Sequence, residues 1–240
     1  MGLLGELRAI PEYLSLAASA PITAYLSPVG APRPVLVIPG LISGDSATLP
    51  LRAFLRSFGH RPHGWGQGLN VGPAHHMAEG LDNTLTELAE RYGGPIDIVG
   101  WSAGGIFGRV LASHRSELVR QVISLGSPVR LRTEDSNMAA VSDFLGRFYL
   151  KGPSTIDVDS VPVPSTTVWT ASDGVVPPDA CRQTVGEFAE SVQVRGSHSG
   201  LPANPAVYYL VADRLALPVG EWSPFNPPAK LRRLYPTIES

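Results

Sequence analysis

Short apolar, β-branched runs alternate along this chain with longer stretches whose apolar residues recur at helical spacing, and few folds accept that alternation. The runs are "PVLVIPG" (34–40), "IDIVG" (96–100), "QVISLGSP" (121–128), "STTVWTA" (165–171) and "SVQV" (191–194). A weaker one, "HRPHGWG" (60–66), feeds a glycine-rich loop. Each reads as a strand, because branched side chains suit a pleated surface buried on both faces and Pro or Gly closes several of the runs. Between them, Ser46 to Phe58 places Leu49, Phe54, Leu55 and Phe58 on one side of a helix. The stretch His76 to Tyr92 does the same with Met77, Leu81, Leu85 and Leu88, until Gly93-Gly94-Pro95 stops it. Further helices are expected after Ser102 through His114, over 141–150, over 181–190 ("CRQTVGEFAE") and over 205–217 ("PAVYYLVADRLAL"). The expected fold class is therefore α/β: a mostly parallel central sheet with helices on both faces. At 240 residues, with no internal repeat and no low-complexity linker, one domain over 1–240 is the economical reading. The tail from Val219, rich in Pro and polar residues, is expected to lie on the surface without much regular structure.

One junction in this pattern carries chemistry. In "IVGWSAGG" (98–105) a Gly-x-Ser-x-Gly motif sits directly after a buried run and directly before a helix. A serine on such a turn is held on a sharp bend, and Gly100 and Gly104 lack the side chains that would collide across it. The plainer reading, a serine cap on a glycine-rich helix start, fits this context less well. A serine hydroxyl is a poor nucleophile at neutral pH and needs a base, which in turn needs an orienting acid. An open parallel sheet gathers its site outside the C-terminal ends of its strands. "VWTASDGVVPPDA" puts Asp173 just past one such end, nearer to it than Asp179 in the same loop. "VQVRGSHSGL" puts His198 just past another, and none of the other histidines lies at a matching place and order.

Composition removes other classes. A formal net charge of −2 spread along the chain leaves no footprint for nucleic acid, and no cluster of Lys or Arg marks an anionic membrane surface. The His75-His76 pair lacks metal-ligand spacing, so no metal site is expected. Cys181 is the one cysteine, which excludes an internal disulfide and fits a cytoplasmic location; it reads as a small buried thiol on a helix. No stretch reaches the roughly 20 apolar residues of a membrane span. The N-terminal stretch lacks a basic leader, and Leu3, Leu7, Ile10 and Leu14 recur as an amphipathic helix lying on the domain. The alternative for that helix is a shallow, peripheral membrane contact.

Taken in order, "VLVIPGLISGD", "WGQGLNVGP", "DIVGWSAGGIFGRVLA", "VISLGSPVR", "SDGVVP" and "GSHSGLPANPAVYYLVADRL" resemble the bacterial α/β-hydrolase superfamily of the esterase and lipase type. The resemblance covers most of the chain. It implies Ser102 as nucleophile, His198 as base and Asp173 as acid, with no organic cofactor. It also implies an oxyanion hole built from the backbone N–H of Ala103 and one from the loop after the first strand. For that second donor Leu41 is preferred, with Ile42 one residue away as the fallback. The oxyanion stretch begins Pro-Gly rather than the His-Gly of many relatives, which leaves the identity of this donor open between the two.

The implied reaction is hydrolysis of carboxylic esters with a hydrophobic acyl chain, the substrate being a small-molecule or lipid ester. Leu41, Ile42, Trp101, Val175, Val176 and Leu201 are the expected substrate-binding residues, because an apolar mouth suits an acyl chain. A small lid within 129–165 is expected around the 141–150 helix, whose Phe144, Phe148 and Tyr149 either cover the pocket or belong to the core. Asn70 reads as a turn asparagine near the site. Acyl transfer and thioester cleavage would use the same three side chains, and a non-catalytic binding module on the same fold is the reading from another class. The sequence leaves oligomeric state unassigned.

Overall fold

A computed structural model describes residues 12, 22–72, 75–130 and 158–240. Among the described residues, seven strands form one sheet: β1 (Pro34–Ile38), β2 (Arg61–Gly64), β3 (Ile96–Trp101), β4 (Val119–Leu125), β5 (Ser165–Thr170), β6 (Ala189–Val194) and β7 (Ile238–Glu239). Their order across the sheet is β2-β1-β3-β4-β5-β6-β7, parallel throughout except for the antiparallel β6–β7 pair. Helices among the described residues include α1 (Leu49–Ser57), α2 (His75–Tyr92), α3 (Ala103–His114) and α4 (Pro205–Ala216).

The uninterrupted apolar runs follow from burial on both faces. Val35 and Val37 of β1 join Val99, Ile123, Val168 and Val192 on one side, beneath Leu51, Phe54 and Leu55 of α1 and Val207, Leu210 and Val211 of α4. Leu36 and Ile38, which alternate with them, join Ile98 and Val122 on the other, beneath Leu81 and Leu85 of α2 and Phe107 of α3. Each of these fully buried aliphatic side chains contributes about 1.5–3 kcal/mol relative to exposure. Among the described residues, no helix is long and apolar enough to cross a membrane.

One expectation is corrected. The stretch 181–190 is not a helix: a short 3-10 turn, Pro178–Cys181, ends at Cys181, and β6 begins at Ala189. Its polar side chains stitch it to the sheet instead. The Gln183 amide donates to the carbonyls of Ser165 (2.9 Å) and Glu190 (2.6 Å), and Ser165 Oγ donates back to Gln183 Oε1 (2.9 Å). The tail beyond Val219 has little regular structure, as expected, but it is anchored to the domain. Tyr235 is buried edge-on against Phe225, with ring centroids 4.8 Å apart, and its hydroxyl donates to the Ala206 carbonyl at 2.8 Å. That anchor delivers Ile238–Glu239 to the edge of β6 as a seventh strand. The amphipathic 3–14 stretch and the 141–150 helix lie outside the described residues, apart from Glu12.

His60, between α1 and β2, is buried and accepts the Arg33 N–H at Nδ1 (3.2 Å). Burial first, and then the Arg33 and Arg120 guanidiniums, push its imidazole below the ordinary value of 6.5. The neutral form is thus favoured by folding, and its contribution is present above pH 6.5 and lost as pH falls through the lowered value. Thermal denaturation between pH 7 and pH 5 is expected to show a smaller fall in Tm for His60→Asn, whose side-chain oxygen can accept the same bond, than for the wild type.

Candidate active site

The Gly-x-Ser-x-Gly motif forms a strand–turn–helix bend between β3 and α3, with Ser102 at φ 54° and ψ −123°. Ser102 and Ile42 are the non-glycine residues with positive φ among the described residues, a conformation that costs about 1–3 kcal/mol each. The bend is held because Ser102 N–H donates to the Leu125 carbonyl at the end of β4 (2.8 Å) and Gly105 N–H to the Ser102 carbonyl (3.0 Å). A Cβ on Gly100 would lie 2.3 Å from the Gly104 oxygen, and one on Gly104 would lie 2.3 Å from the Ile38 oxygen. Helix propensity alone favours alanine over glycine by about 1 kcal/mol, yet the collision is with rigid backbone, and overpacking of that kind costs roughly 1–3 kcal/mol or more. Gly104→Ala is therefore expected to lower Tm, whereas Gly94→Ala, which meets nothing within 4 Å, leaves it close to the wild-type value.

Three side chains converge at this bend. His198 Nε2 lies 3.0 Å from Ser102 Oγ, and His198 Nδ1 lies 2.7 Å from Asp173 Oδ2. The carboxylate accepts, so the compatible tautomer carries its proton on Nδ1 and leaves Nε2 free to accept from the serine hydroxyl. Asp173 is fixed in turn, because its Oδ1 accepts the N–H groups of Val175 (2.9 Å) and Val176 (2.7 Å). Both His198 and Asp173 are buried.

The loop bearing His198 is tied down at several points. The Trp101 indole N–H donates to the His198 carbonyl (3.1 Å), and Thr170 Oγ1 donates to the Gly196 carbonyl (2.7 Å). The Glu12 carboxylate accepts from Ser197 N–H (2.9 Å) and Ser197 Oγ (2.7 Å). At the start of α3 the Ala103 N–H has no intrahelical acceptor, as the first turn of any helix requires. On the facing loop, Ile42 N–H is donated to the Asn70 carbonyl at 2.7 Å, while no hydrogen bond among the described residues engages the Leu41 N–H.

No protein-family model matches the sequence, and a search of curated proteins finds no match. Solved structures do match. Aspergillus fumigatus lipase B superposes with a TM-score of 0.60 at 17% identity, over 78% of this chain and 52% of that one, so this chain spans about half its length. The mature Bacillus licheniformis lipase BlEst2 superposes with a TM-score of 0.56 at 16% identity, over 80% of this chain and 97% of that one. MGS-MChE2, an alpha/beta hydrolase enzyme from the metagenome of sediments from the lagoon of Mar Chica, Morocco, gives 0.52 at 16% identity, over 78% and 91%. The chain has the α/β-hydrolase fold.

Within this α/β-hydrolase fold the remaining expected site residues separate. Leu41, Ile42 and Val175 are exposed on the loops around Ser102, and Trp101 is half-buried beside His198 with ring centroids 6.0 Å apart. Leu201 is fully buried in the core, and Val176 is nearly so, packed with Trp169, Ala180 and Cys181. Asp179 turns away and pairs with Arg182 at 3.2 Å. Burial, with the Asp173 charge adding to it, pushes the Cys181 thiol well above its ordinary value, which keeps it protonated and a poor nucleophile. Among the described residues, no group of three His, Cys, Asp or Glu side chains is disposed to hold a metal ion. The lid expected within 129–165 falls largely on 131–157, outside the described residues.

Glu12 escaped sequence reading, because its stretch announces only an apolar periodicity. The role of Trp101 as a donor to the His198 carbonyl also has no local signature.

Proposed function

We propose that the protein is a serine hydrolase that cleaves carboxylic esters with a hydrophobic acyl chain through an acyl-enzyme on Ser102. The observation that carries this reading is the continuous relay from Ser102 Oγ through His198 to Asp173, at 3.0 and 2.7 Å. Ser102 Oγ attacks the ester carbonyl as His198 Nε2 takes its proton, and Asp173 stabilises the imidazolium and holds its tautomer. The N–H groups of Ala103 and Leu41 receive the oxyanion, each such donor being worth about 3–4 kcal/mol in the transition state. His198 then returns the proton to the leaving alcohol. In the second half it activates water, which releases the acid.

Ile42 leaves the list of oxyanion donors in this reading, since its N–H is already committed to Asn70. The apolar preference draws on the exposed Leu41, Ile42 and Val175, with Leu69 and Val71 exposed on the neighbouring loop. We read residues 1–240 as one hydrolase domain acting in the cytoplasm on small-molecule or lipid esters. Acyl transfer or thioester cleavage would pass through the same acyl-enzyme and would show as a preference for those acceptors or substrates. A fluorophosphonate probe is expected to label the peptide that contains Ser102 and to leave Ser102→Ala unlabelled; equal labelling of both proteins would overturn the assignment.

A further inference from the structure

Ile42 holds a φ of +55°, and its side chain is 77% exposed, so no packing of its own compensates a β-branched residue in the left-handed region. Strain of this kind persists only where the surroundings over-determine it. Here the surroundings are largely one residue. Asn70 is fully buried and reaches the loop on both sides of Leu41. Its side-chain amide donates to the Pro39 carbonyl at 3.0 Å. Its carbonyl accepts Ile42 N–H at 2.7 Å, and its own N–H donates to the Ser43 carbonyl at 2.8 Å. Its Oδ1 accepts Gly72 N–H at 3.1 Å, which locks the amide orientation.

The loop that presents Asn70 is itself anchored. Trp65, fully buried, donates its indole N–H to the Gly68 carbonyl (2.9 Å), and the Asp45 carboxylate accepts the N–H groups of Trp65 (2.9 Å) and Gly66 (3.2 Å). Ser43 Oγ closes the braced turn by donating to the Gly40 carbonyl at 2.7 Å. The bonds to Ile42 and Ser43 are main-chain ones, and the side chain adds the bond to Pro39, which a turn asparagine serving only its own loop would not make.

We propose that Asn70 is a positioning residue for the reaction: its side-chain amide ties Pro39 to the backbone bonds that join residue 70 to Ile42 and Ser43, and so holds Ile42 in its strained conformation and presets the Leu41 N–H as an oxyanion donor. The inference rests on the proposed hydrolase reading. Without the clamp that the amide bond to Pro39 supplies, the segment upstream of Ile42 is released, Ile42 relaxes toward negative φ, and the Gly40–Leu41 peptide that carries the Leu41 N–H shifts from its place. Because an oxyanion donor acts on the transition state and not on the bound ester, the loss falls on kcat.

The test is a double-mutant cycle with p-nitrophenyl butyrate. Asn70→Ala is expected to lower kcat by about 10- to 100-fold with KM within about twofold of the wild type. Adding Ile42→Gly, which adopts positive φ without strain, is expected to restore most of the lost kcat in the Asn70→Ala background. Rescue by a residue that fills no space in the loop is not what a packing defect would show. Should Asn70→Ala not fold, Asn70→Asp keeps the shape and the acceptor for Gly72 but loses the donor to Pro39, and the same losses and rescue are expected. Amide hydrogen exchange at Ile42, slow in the wild type and faster in either variant, reads the clamp without any turnover. A wild type that hydrolyses no ester defeats the hydrolase reading, and the exchange rates then decide the clamp alone. A wild type that hydrolyses esters, beside an Asn70→Ala variant whose kcat is unchanged or is not rescued by Ile42→Gly, overturns the inference.

Discussion

Replacing Ser102 with alanine is expected to lower turnover of p-nitrophenyl esters by at least about 10,000-fold, the scale on which removal of an activated nucleophile acts. The size follows from how the site is wired. His198 Nε2 has Ser102 Oγ as its partner at 3.0 Å, and burial keeps both His198 and Asp173 away from bulk water. On the proposed mechanism, loss of the hydroxyl leaves the oxyanion donors and the apolar mouth able to hold an ester but prevents formation of an acyl-enzyme. Residual hydrolysis must then use water that nothing positions. A series from acetyl to palmitoyl esters, measured for wild type and variant together, reads two things. Collapse across the whole series identifies Ser102 as the nucleophile, and the chain length preferred by the wild type shows whether the exposed Leu41, Ile42 and Val175 receive a short acyl group or a long one. A variant as active as the wild type would remove Ser102 from the mechanism.

The largest effect on stability is expected at Arg214, where Arg214→Met costs about 3–5 kcal/mol, the range seen when one partner of a buried ion pair is removed. Arg214 of α4 meets Glu190 of β6 at 3.0 Å, and both side chains are almost wholly buried. The guanidinium also donates to the Ser223 carbonyl at 2.6 Å, so methionine strands a carbonyl as well as a carboxylate. Glu190 retains Thr166 Oγ1 (2.8 Å) and Phe225 N–H (2.6 Å) as donors, too few to replace a full counter-charge. Burial already pushes the Glu190 carboxyl up, with Arg214 as the main opposing influence. Removing Arg214 raises it further. A carboxyl whose folded value lies above its unfolded one contributes stability that is present at low pH and lost as pH rises through the folded value. The deficit of Arg214→Met in urea unfolding is therefore expected to be larger at pH 8 than at pH 5, and Arg214→Met with Glu190→Gln to recover part of it.

The side chains that converge at the bend were legible because each sits on a local signature. Ser102 lies between a strand and a helix, and Asp173 and His198 each lie a few residues past a strand end, where a parallel sheet gathers its site. What escaped depends on partners remote in the chain. Glu12 meets Ser197 across a separation of 185 residues, and Asn70 looks like any turn asparagine until its amide is seen on the Pro39 carbonyl 31 residues away. Composition does not separate Leu41 from Ile42, because a one-residue shift leaves it unchanged; the bond from Ile42 N–H to the Asn70 carbonyl is visible only in the fold. The 181–190 stretch misled for a related reason. Its spacing suits a helix, but Gln183 and Glu190 find better partners on the sheet, and tertiary contact overrides local pattern.

The sheet order also sets when function can appear during folding. Ser102 and His198 are 96 residues apart in the chain, and β4, β5 and β6 must add in register to β3 before the imidazole reaches the hydroxyl. Parallel pairing of this kind closes long loops before its contacts repay the entropy, so it is among the slower events in a folding chain. The bend at Ser102 needs only neighbours on β3, α3 and the end of β4, whereas His198 comes from beyond β6. Any turnover that depends on this pair is accordingly expected to return during refolding no earlier than the closing of that long-range seam.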